Sequence, residues 1–329
     1  MSVAIFYPCS PYSEITKDIL QNDIEKIYPV LNYPPQYANI GKHEEFLRLL
    51  KNPSIETLMV WMGGRIINNE DVSNSSYEMV EQLTDNDWIE IAKTRKNIVG
   101  SSDATYLLCA LLSHGINCFY GPNYHTTLRC SSIEENRITL KSLSQALNMT
   151  TDYTIDFKDK NLTQCQYNPW IIRQGIATGR LIGGNLDTII DLLENQSRWD
   201  LFPIRKGDIL FLEEVDPLYH QDKKEIKGKM FGNLQYLDNT GVFSKVGGVV
   251  FGRSKHPKVF DEEKEWYYEE VENKNEEKYL RQCIDSAISN KNIPIIANIA
   301  CGHTHPMLTF PLGKNATLNV YEQKMTVHY

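Results

Sequence analysis

Short apolar runs alternate with longer amphipathic stretches through the first half of the chain. Val3–Tyr7 reads as a strand ending at Pro8, Ile15–Ile27 as a helix, and Thr57–Met62 as a second strand running into Gly63-Gly64. Trp88–Ala92 belongs to a short helix ahead of a strand at Asn97–Val99. This alternation predicts a parallel sheet with helices on both faces, a layout in which ligands gather at the carboxyl ends of the strands. Pro8, Gly63-Gly64 and Gly100-Ser101-Ser102 all fall just past predicted strands and are expected to converge on one crevice.

The pattern breaks between about Thr150 and Pro169, a polar stretch of poor periodicity rich in Asp, Asn, Thr and Gln. The expected organisation is an N-terminal domain over 1–150, a linker over 151–170 and a C-terminal domain over 171–329. Past the break, Thr188–Glu194 reads as a helix, and Asp208–Leu212, Val249–Gly252 and Pro294–Asn298 as strands. Glu262–Asn290 reads as a charged helical region, with Glu262–Lys278 as a solvated helix face. The predicted fold class is therefore α/β: an N-terminal Rossmann-like parallel-sheet domain and a smaller C-terminal α/β domain.

Composition narrows the function classes. With 329 residues, two domains are the natural expectation, and 41% hydrophobic with 23% charged residues is ordinary for a globular chain. A formal net charge of −8 argues against a nucleic-acid polymer as partner, because that binding needs a basic face to displace counterions. The seven cysteines are scattered and form no C-x-x-C pair, which fits reduced thiols. The first residues lack a signal-peptide pattern and no later run approaches about 18 apolar residues, so a cytoplasmic protein with no membrane partner is expected. The N-x-S/T triplets at Asn74, Asn148, Asn161, Asn195 and Asn315 are then chance matches.

Three segments carry the chemistry. Asn97-Ile-Val-Gly-Ser-Ser-Asp-Ala-Thr-Tyr-Leu-Leu reads as a strand, a tight turn and an apolar helix. A serine on such a turn is lifted clear of the sheet, and the helix N-terminus offers backbone N–H groups to an oxyanion. The competing reading is that Ser101, Ser102 and Asp103 cap the helix. Gly207-Asp-Ile-Leu-Phe-Leu-Glu-Glu reads as a buried strand ending in paired carboxylates, one able to orient a histidine, or as a strand simply reaching solvent. In Ala300-Cys-Gly-His-Thr-His-Pro, His303 follows a glycine at a strand end, well placed for a base. His303 and His305 as zinc ligands would need further ligands, and none is evident, so no metal and no cofactor are expected.

Together these segments resemble the LD-carboxypeptidase family of serine peptidases, which includes the muramoyl-tetrapeptide carboxypeptidases and a microcin-immunity branch. The likeness runs nearly end to end: Ile5-Phe-Tyr-Pro-Cys-Ser-Pro, Met62-Gly-Gly, Ile98-Val-Gly-Ser-Ser-Asp-Ala-Thr, Phe119-Tyr-Gly-Pro, Gly183-Gly-Asn-Leu, Ile209-Leu-Phe-Leu-Glu-Glu, Gly302-His-Thr-His-Pro and Pro311-Leu-Gly. The resemblance implies Ser102 as nucleophile, with Ser101 in the family's usual aromatic position, Glu213 as the carboxylate and His303 as the base. It implies oxyanion donors at the backbone of Asp103 and of the Gly63-Gly64 turn, and a homodimer. Phe119-Tyr-Gly-Pro and Gly302-His-Thr-x-Pro look more like the microcin-immunity branch, where an aromatic at the position of Trp170 stacks on a nucleotide base; the alternative for Trp170 is a half-buried core residue.

The implied function is hydrolysis of an amide bond in a small peptide-like substrate, a peptidyl or aminoacyl nucleotide, by a Ser-Glu-His triad. The alternatives are release of D-alanine from a murein tetrapeptide, and a non-catalytic binding protein on the same fold. A nicotinamide-dependent oxidoreductase fails because no G-x-G-x-x-G follows the first strand.

Overall fold

The computed structural model describes residues 3–7, 35–40, 43–60, 76–123, 127–128, 133–164, 168–195, 201–214, 229–261, 265–270 and 274–329. The expected helix at Ile15–Ile27, the turn at Pro8 and the Gly63-Gly64 turn lie outside the described residues.

Two sheets organise the chain. The first contains β1 (Val3–Tyr7), β2 (Pro35–Ile40), β3 (Thr57–Val60), β4 (Asn97–Gly100), β5 (Cys118–Tyr120) and β14 (Phe310–Leu312), in the order β14-β5-β4-β3-β1-β2. Around it lie α1 (His43–Lys51), α2 (Ser76–Glu81), α3 (Asp85–Thr94), α4 (Thr105–Ser113) and α5 (Ile133–Leu147). The second sheet contains β6 (Tyr153–Asp156), β7 (Trp170–Arg173), β8 (Ile176–Asn185), β9 (Ile209–Glu213), β10 (Gly248–Gly252), β13 (Ile295–Ile299), β15 (Asn315–Asn319) and β16 (Lys324–Val327). Its order is β6-β16-β15-β8-β9-β10-β13-β7.

Both parts are α/β, as expected, but neither sheet is purely parallel. In the first, β1 to β5 pair in parallel, and β14 closes the β5 edge antiparallel, Phe310 opposite Tyr120. The cause is a return of the chain: after β13 it crosses back to cover an edge that would otherwise be open. In the second, four parallel strands, β8-β9-β10-β13, are flanked by antiparallel ones. The layout is therefore not strictly Rossmann-like, and among the described residues the second sheet, with eight strands, is the larger.

Two local readings change as well. The stretch 151–170 contains β6, which pairs with β16, a short helix α6 (Lys160–Gln164) and the first residue of β7. Within the expected solvated helix at Glu262–Lys278, residues 265–270 instead form a strand, β12 (Glu265–Glu270), paired antiparallel with β11 (Lys255–Asp261), and a helix begins at Lys274. Charge density hid the strand signal there: Val259-Phe260 and Trp266-Tyr267-Tyr268 are residue types that favour strands.

The core is continuous across both sheets. Helix α4 is apolar all round, and its residues from Thr105 to Leu112 are buried, the pattern of a helix with no solvent face. Aromatic rings bridge the sheets: Tyr120 lies 5.0 Å from Phe211, and Phe211 meets Phe310 edge to face at 4.9 Å. Among the described residues no helix is long and apolar enough to cross a membrane.

Strands β8 and β9 approach so closely at Gly183 that an added Cβ would fall 1.8 Å from the Phe211 carbonyl oxygen, and φ there is +126°. Gly183→Ala is expected to destabilise the protein by at least ~2 kcal/mol, through overpacking and backbone strain together. Urea unfolding should report a lower midpoint at unchanged slope.

Candidate active site

The elbow begins with a packing constraint. β4 ends at Gly100, and a Cβ on that residue would come within 2.8 Å of the Ala104 Cβ, so strand and helix can sit this close only with a glycine and a small residue facing each other. The chain turns through Ser101 in an extended conformation and Ser102 at φ +57°, then enters a 3-10 turn at Ser102–Ala104 that leads into α4. A non-glycine residue in the left-handed region costs about 1 kcal/mol or more, a strain that recurs at functional sites.

The two serines differ in environment. Ser101 is buried and its Oγ accepts a hydrogen bond from Asn123 Nδ2 at 3.0 Å. It makes no side-chain bond to the helix, so the capping alternative fails for this residue. Ser102 is partly exposed, and its backbone N–H donates to the hydroxyl oxygen of Tyr120 at 2.9 Å. Asp103 follows as the second residue of the turn.

Glu213 closes β9 and is 1% exposed, which overturns the reading of a strand merely reaching solvent. Oε1 accepts from Tyr120 Oη at 2.6 Å and from Asn185 Nδ2 at 2.9 Å, while Oε2 lies 2.8 Å from His303 Nδ1. Burial alone pushes this carboxyl up, but His303, Tyr120 and Asn185 together outweigh it and hold the group below the ordinary carboxylate range. An ionised carboxylate only accepts, so Nδ1 of His303 carries its proton and Nε2 is left as the acceptor. Glu214, the neighbouring carboxylate, is also buried.

Backbone fit brings these groups together. Asn185 stands opposite Glu213 in the β8–β9 register. It also caps helix α7 (Leu186–Glu194), its Oδ1 accepting from the Thr188 N–H, and its own N–H donates to Thr105 Oγ1 at the start of α4. His303 hangs on the loop after β13, and a Cβ on Gly302 would strike Glu213 Oε2 at 2.7 Å. That loop is anchored to α5 by the Met307 N–H on Thr139 Oγ1 and the Thr309 N–H on Ser142 Oγ, both 3.0 Å.

Trp170 is half-buried at the site end of the sheet edge, opposite Ala297 of β13, with the Arg281 guanidinium 5.1 Å from its ring centroid. Gly63 and Gly64 lie outside the described residues. Among the described residues no three His, Cys, Asp or Glu side chains cluster as metal ligands would. Tyr120 and Asn185 were not singled out from the sequence, although both lie in segments that carry the family resemblance.

Two measurements follow from this geometry. Ser102→Gly, which removes the left-handed strain, should be more stable than Ser102→Ala by about 1 kcal/mol in thermal or urea unfolding. Because the folded-state pKa of Glu213 is lowered, its stabilisation is present above the unfolded carboxyl pKa and lost as pH falls through the folded one. The stability gap between wild type and Glu213→Gln should therefore be widest near neutral pH and shrink as pH drops below about 4, read from unfolding curves across pH.

Comparison with known proteins fits the same segments. The LD-carboxypeptidase N-terminal domain model matches residues 40–121, and the LD-carboxypeptidase C-terminal domain model matches residues 178–318. The microcin C7 self-immunity protein MccF of Escherichia coli is 26% identical over 306 residues, covering 86% of this chain and 77% of that protein. The fold is similar to MccF in complex with glutamyl sulfamoyl guanosine, with a TM-score of 0.71 at 22% identity over 100% of this chain and 96% of that one. It is also similar to muramoyltetrapeptide carboxypeptidase from Oxalobacter formigenes, with a TM-score of 0.67 at 20% identity over 99% and 98% of the two chains. The two domain models together span roughly two thirds of the sequence, and the chain belongs to the LD-carboxypeptidase family, as a serine-type carboxypeptidase that hydrolyses small peptide substrates.

Proposed function

We propose that Ser102, Glu213 and His303 form the catalytic triad of an amidase of the microcin-immunity kind, cleaving peptidyl or aminoacyl nucleotides. The observation that carries the triad is the buried carboxylate of Glu213, which holds His303 Nδ1 at 2.8 Å and reaches the Ser102 backbone through Tyr120. Burial of Ser101 under Asn123, against the strained and partly exposed Ser102, supports Ser102 as the nucleophile.

In this mechanism Ser102 Oγ attacks the amide carbonyl carbon while His303 Nε2 takes the hydroxyl proton. Glu213 fixes the tautomer and stabilises the imidazolium. The tetrahedral oxyanion is held by the Asp103 N–H and, by family resemblance, the Gly63-Gly64 turn. The imidazolium then gives its proton to the leaving nitrogen, the C–N bond breaks, and an acyl-enzyme remains. Water, deprotonated by the same histidine, hydrolyses the ester and restores Ser102.

The substrate reading draws on the likeness to MccF and on Trp170. Solved MccF complexes contain glutamyl sulfamoyl guanosine and aspartyl sulfamoyl adenosine, both aminoacyl-nucleotide-like molecules. The ring of Trp170, backed by Arg281, suits stacking on a nucleobase. The likeness to a muramoyltetrapeptide carboxypeptidase favours the second reading, release of D-alanine from a murein tetrapeptide. Family resemblance further leads us to infer a homodimer in the cytoplasm. The buried free thiols of Cys109, Cys118, Cys283 and Cys301 suit a reducing compartment.

Ser102→Ala should keep a cooperative melting transition and lose turnover by at least ~10³-fold, and it should fail to react with a fluorophosphonate that labels the wild type. A fully active alanine variant sinks the triad, and an unlabelled, inactive wild type supports the non-catalytic binding alternative. Mass spectrometry of products from an aminoacyl sulfamoyl nucleoside and from a murein tetrapeptide separates the two substrate readings. Trp170→Ala should selectively reduce cleavage of the nucleoside substrate by roughly tenfold or more, the worth of one stacking contact.

A further inference from the structure

Tyr120 lies at the end of β5 in the first sheet, yet its hydroxyl touches the machinery of the second. It accepts from the Ser102 backbone N–H at 2.9 Å and donates to Glu213 Oε1 at 2.6 Å. The side chain is fully buried, and its ring packs on Phe211, two residues before Glu213 on β9. One hydroxyl proton can be donated only once, and the carboxylate takes it; the oxygen lone pairs then face the elbow amide. The direction of the chain is thereby fixed, from Ser102 N–H to Tyr120 to Glu213.

We propose that Tyr120 is a positioning residue for the reaction, a hydroxyl clamp that ties the backbone of the nucleophile on one sheet to the triad carboxylate on the other. The proposal rests on the triad reading above. Two consequences distinguish it from simple core packing. The N–H of Ser102 is committed to Tyr120, so the oxyanion must be held by donors from the next residue onward. The clamp also draws electron density from Glu213, so removing it leaves a more basic carboxylate facing His303.

The sign of the second effect is definite. A hydrogen bond donated to the ionised carboxylate favours its charged form. Without that bond, Glu213 binds the His303 proton more tightly, and the imidazolium becomes harder to deprotonate. The acidic limb of the kcat/KM profile, which reports free-enzyme groups, should then move to higher pH.

The test compares wild type, Tyr120→Phe, Phe211→Leu and a protein with a ring-fluorinated tyrosine at position 120, all on one amide substrate. Tyr120→Phe keeps the ring packing and should lower kcat by roughly 10- to 100-fold, the range for one hydrogen bond to a charged group, with KM little changed and the acidic limb moved up. Fluorination makes the hydroxyl a stronger donor without removing it, so the limb should move down; this arm stands even if Tyr120→Phe fails to fold. Phe211→Leu disturbs the same ring contact but keeps the hydroxyl, and should leave the limb in place. A limb that stays fixed in both Tyr120 variants overturns the clamp. Fluorophosphonate labelling of Ser102 in the wild type, run alongside, reports on the triad separately, so labelled wild type with unmoved limbs refutes the clamp alone.

Discussion

A carboxylate buried to 1% exposure between two sheets is the constraint around which the rest of the molecule is arranged. Moving such a charge out of water costs several kcal/mol even after relaxation. Glu213 offsets that cost with donors from three places: Tyr120 on β5, Asn185 on β8 and His303 on the loop after β13. Hydrogen bonds to charged groups contribute about 1.5–3 kcal/mol each, and the three partners together outweigh burial and keep the carboxyl below its ordinary range. The glycines at 252 and 302 belong to the same account, because a Cβ on either would lie 2.8 Å from the Glu213 Cβ. Space, charge and hydrogen bonding thus converge on one side chain, and the register of β8 with β9 is what delivers Asn185 opposite it.

The parts of this site that were legible in the sequence are those with a local signature. Gly100-Ser101-Ser102-Asp103-Ala104 announces an elbow because strand, glycine and apolar helix are contiguous, and the structure has β4, a 3-10 turn and α4 in that order. Glu213 was legible as the residue ending the apolar strand β9, and His303 as a residue just past the apolar strand β13. What a single sequence does not encode locally is which strand end meets which. Judged alone, the Glu213 segment reads more readily as a strand reaching solvent, and only its neighbours in space decide otherwise. Tyr120 and Asn185 were missed for the same reason: a tyrosine in a three-residue strand and an asparagine after two glycines are ordinary until a buried carboxylate lies within 3 Å.

The misread elements fail for a related physical cause. The β11–β12 hairpin carries its aromatic residues within a run of Asp, Glu and Lys, and charge density outweighed strand propensity in the reading. Strands β14, β15 and β16 are short, β14 apolar throughout and β15 and β16 alternating, and each has a partner far away in sequence: β14 on β5, β15 on β8 and β16 on β6. Non-local antiparallel additions of this kind leave little periodic trace in the added strand itself, and they are what make both sheets mixed.

The crossing of β14 back to the first sheet bears directly on how the proposed catalytic groups stay aligned. The proposed nucleophile hangs from β4 and the proposed base from the loop after β13, so their separation is set by how the sheets pack. Phe211 on β9 packs at 5.0 and 4.9 Å against Tyr120 and Phe310, which stand opposite each other on the paired strands β5 and β14 of the first sheet. Close-packed interiors resist even small volume changes, so this aromatic cluster acts as a spacer between the sheets. The polar chain from Ser102 through Tyr120 to Glu213 passes through one member of that cluster. Apolar packing sets the distance between the two halves of the site, and the hydroxyl of Tyr120 converts that distance into a fixed hydrogen-bond geometry.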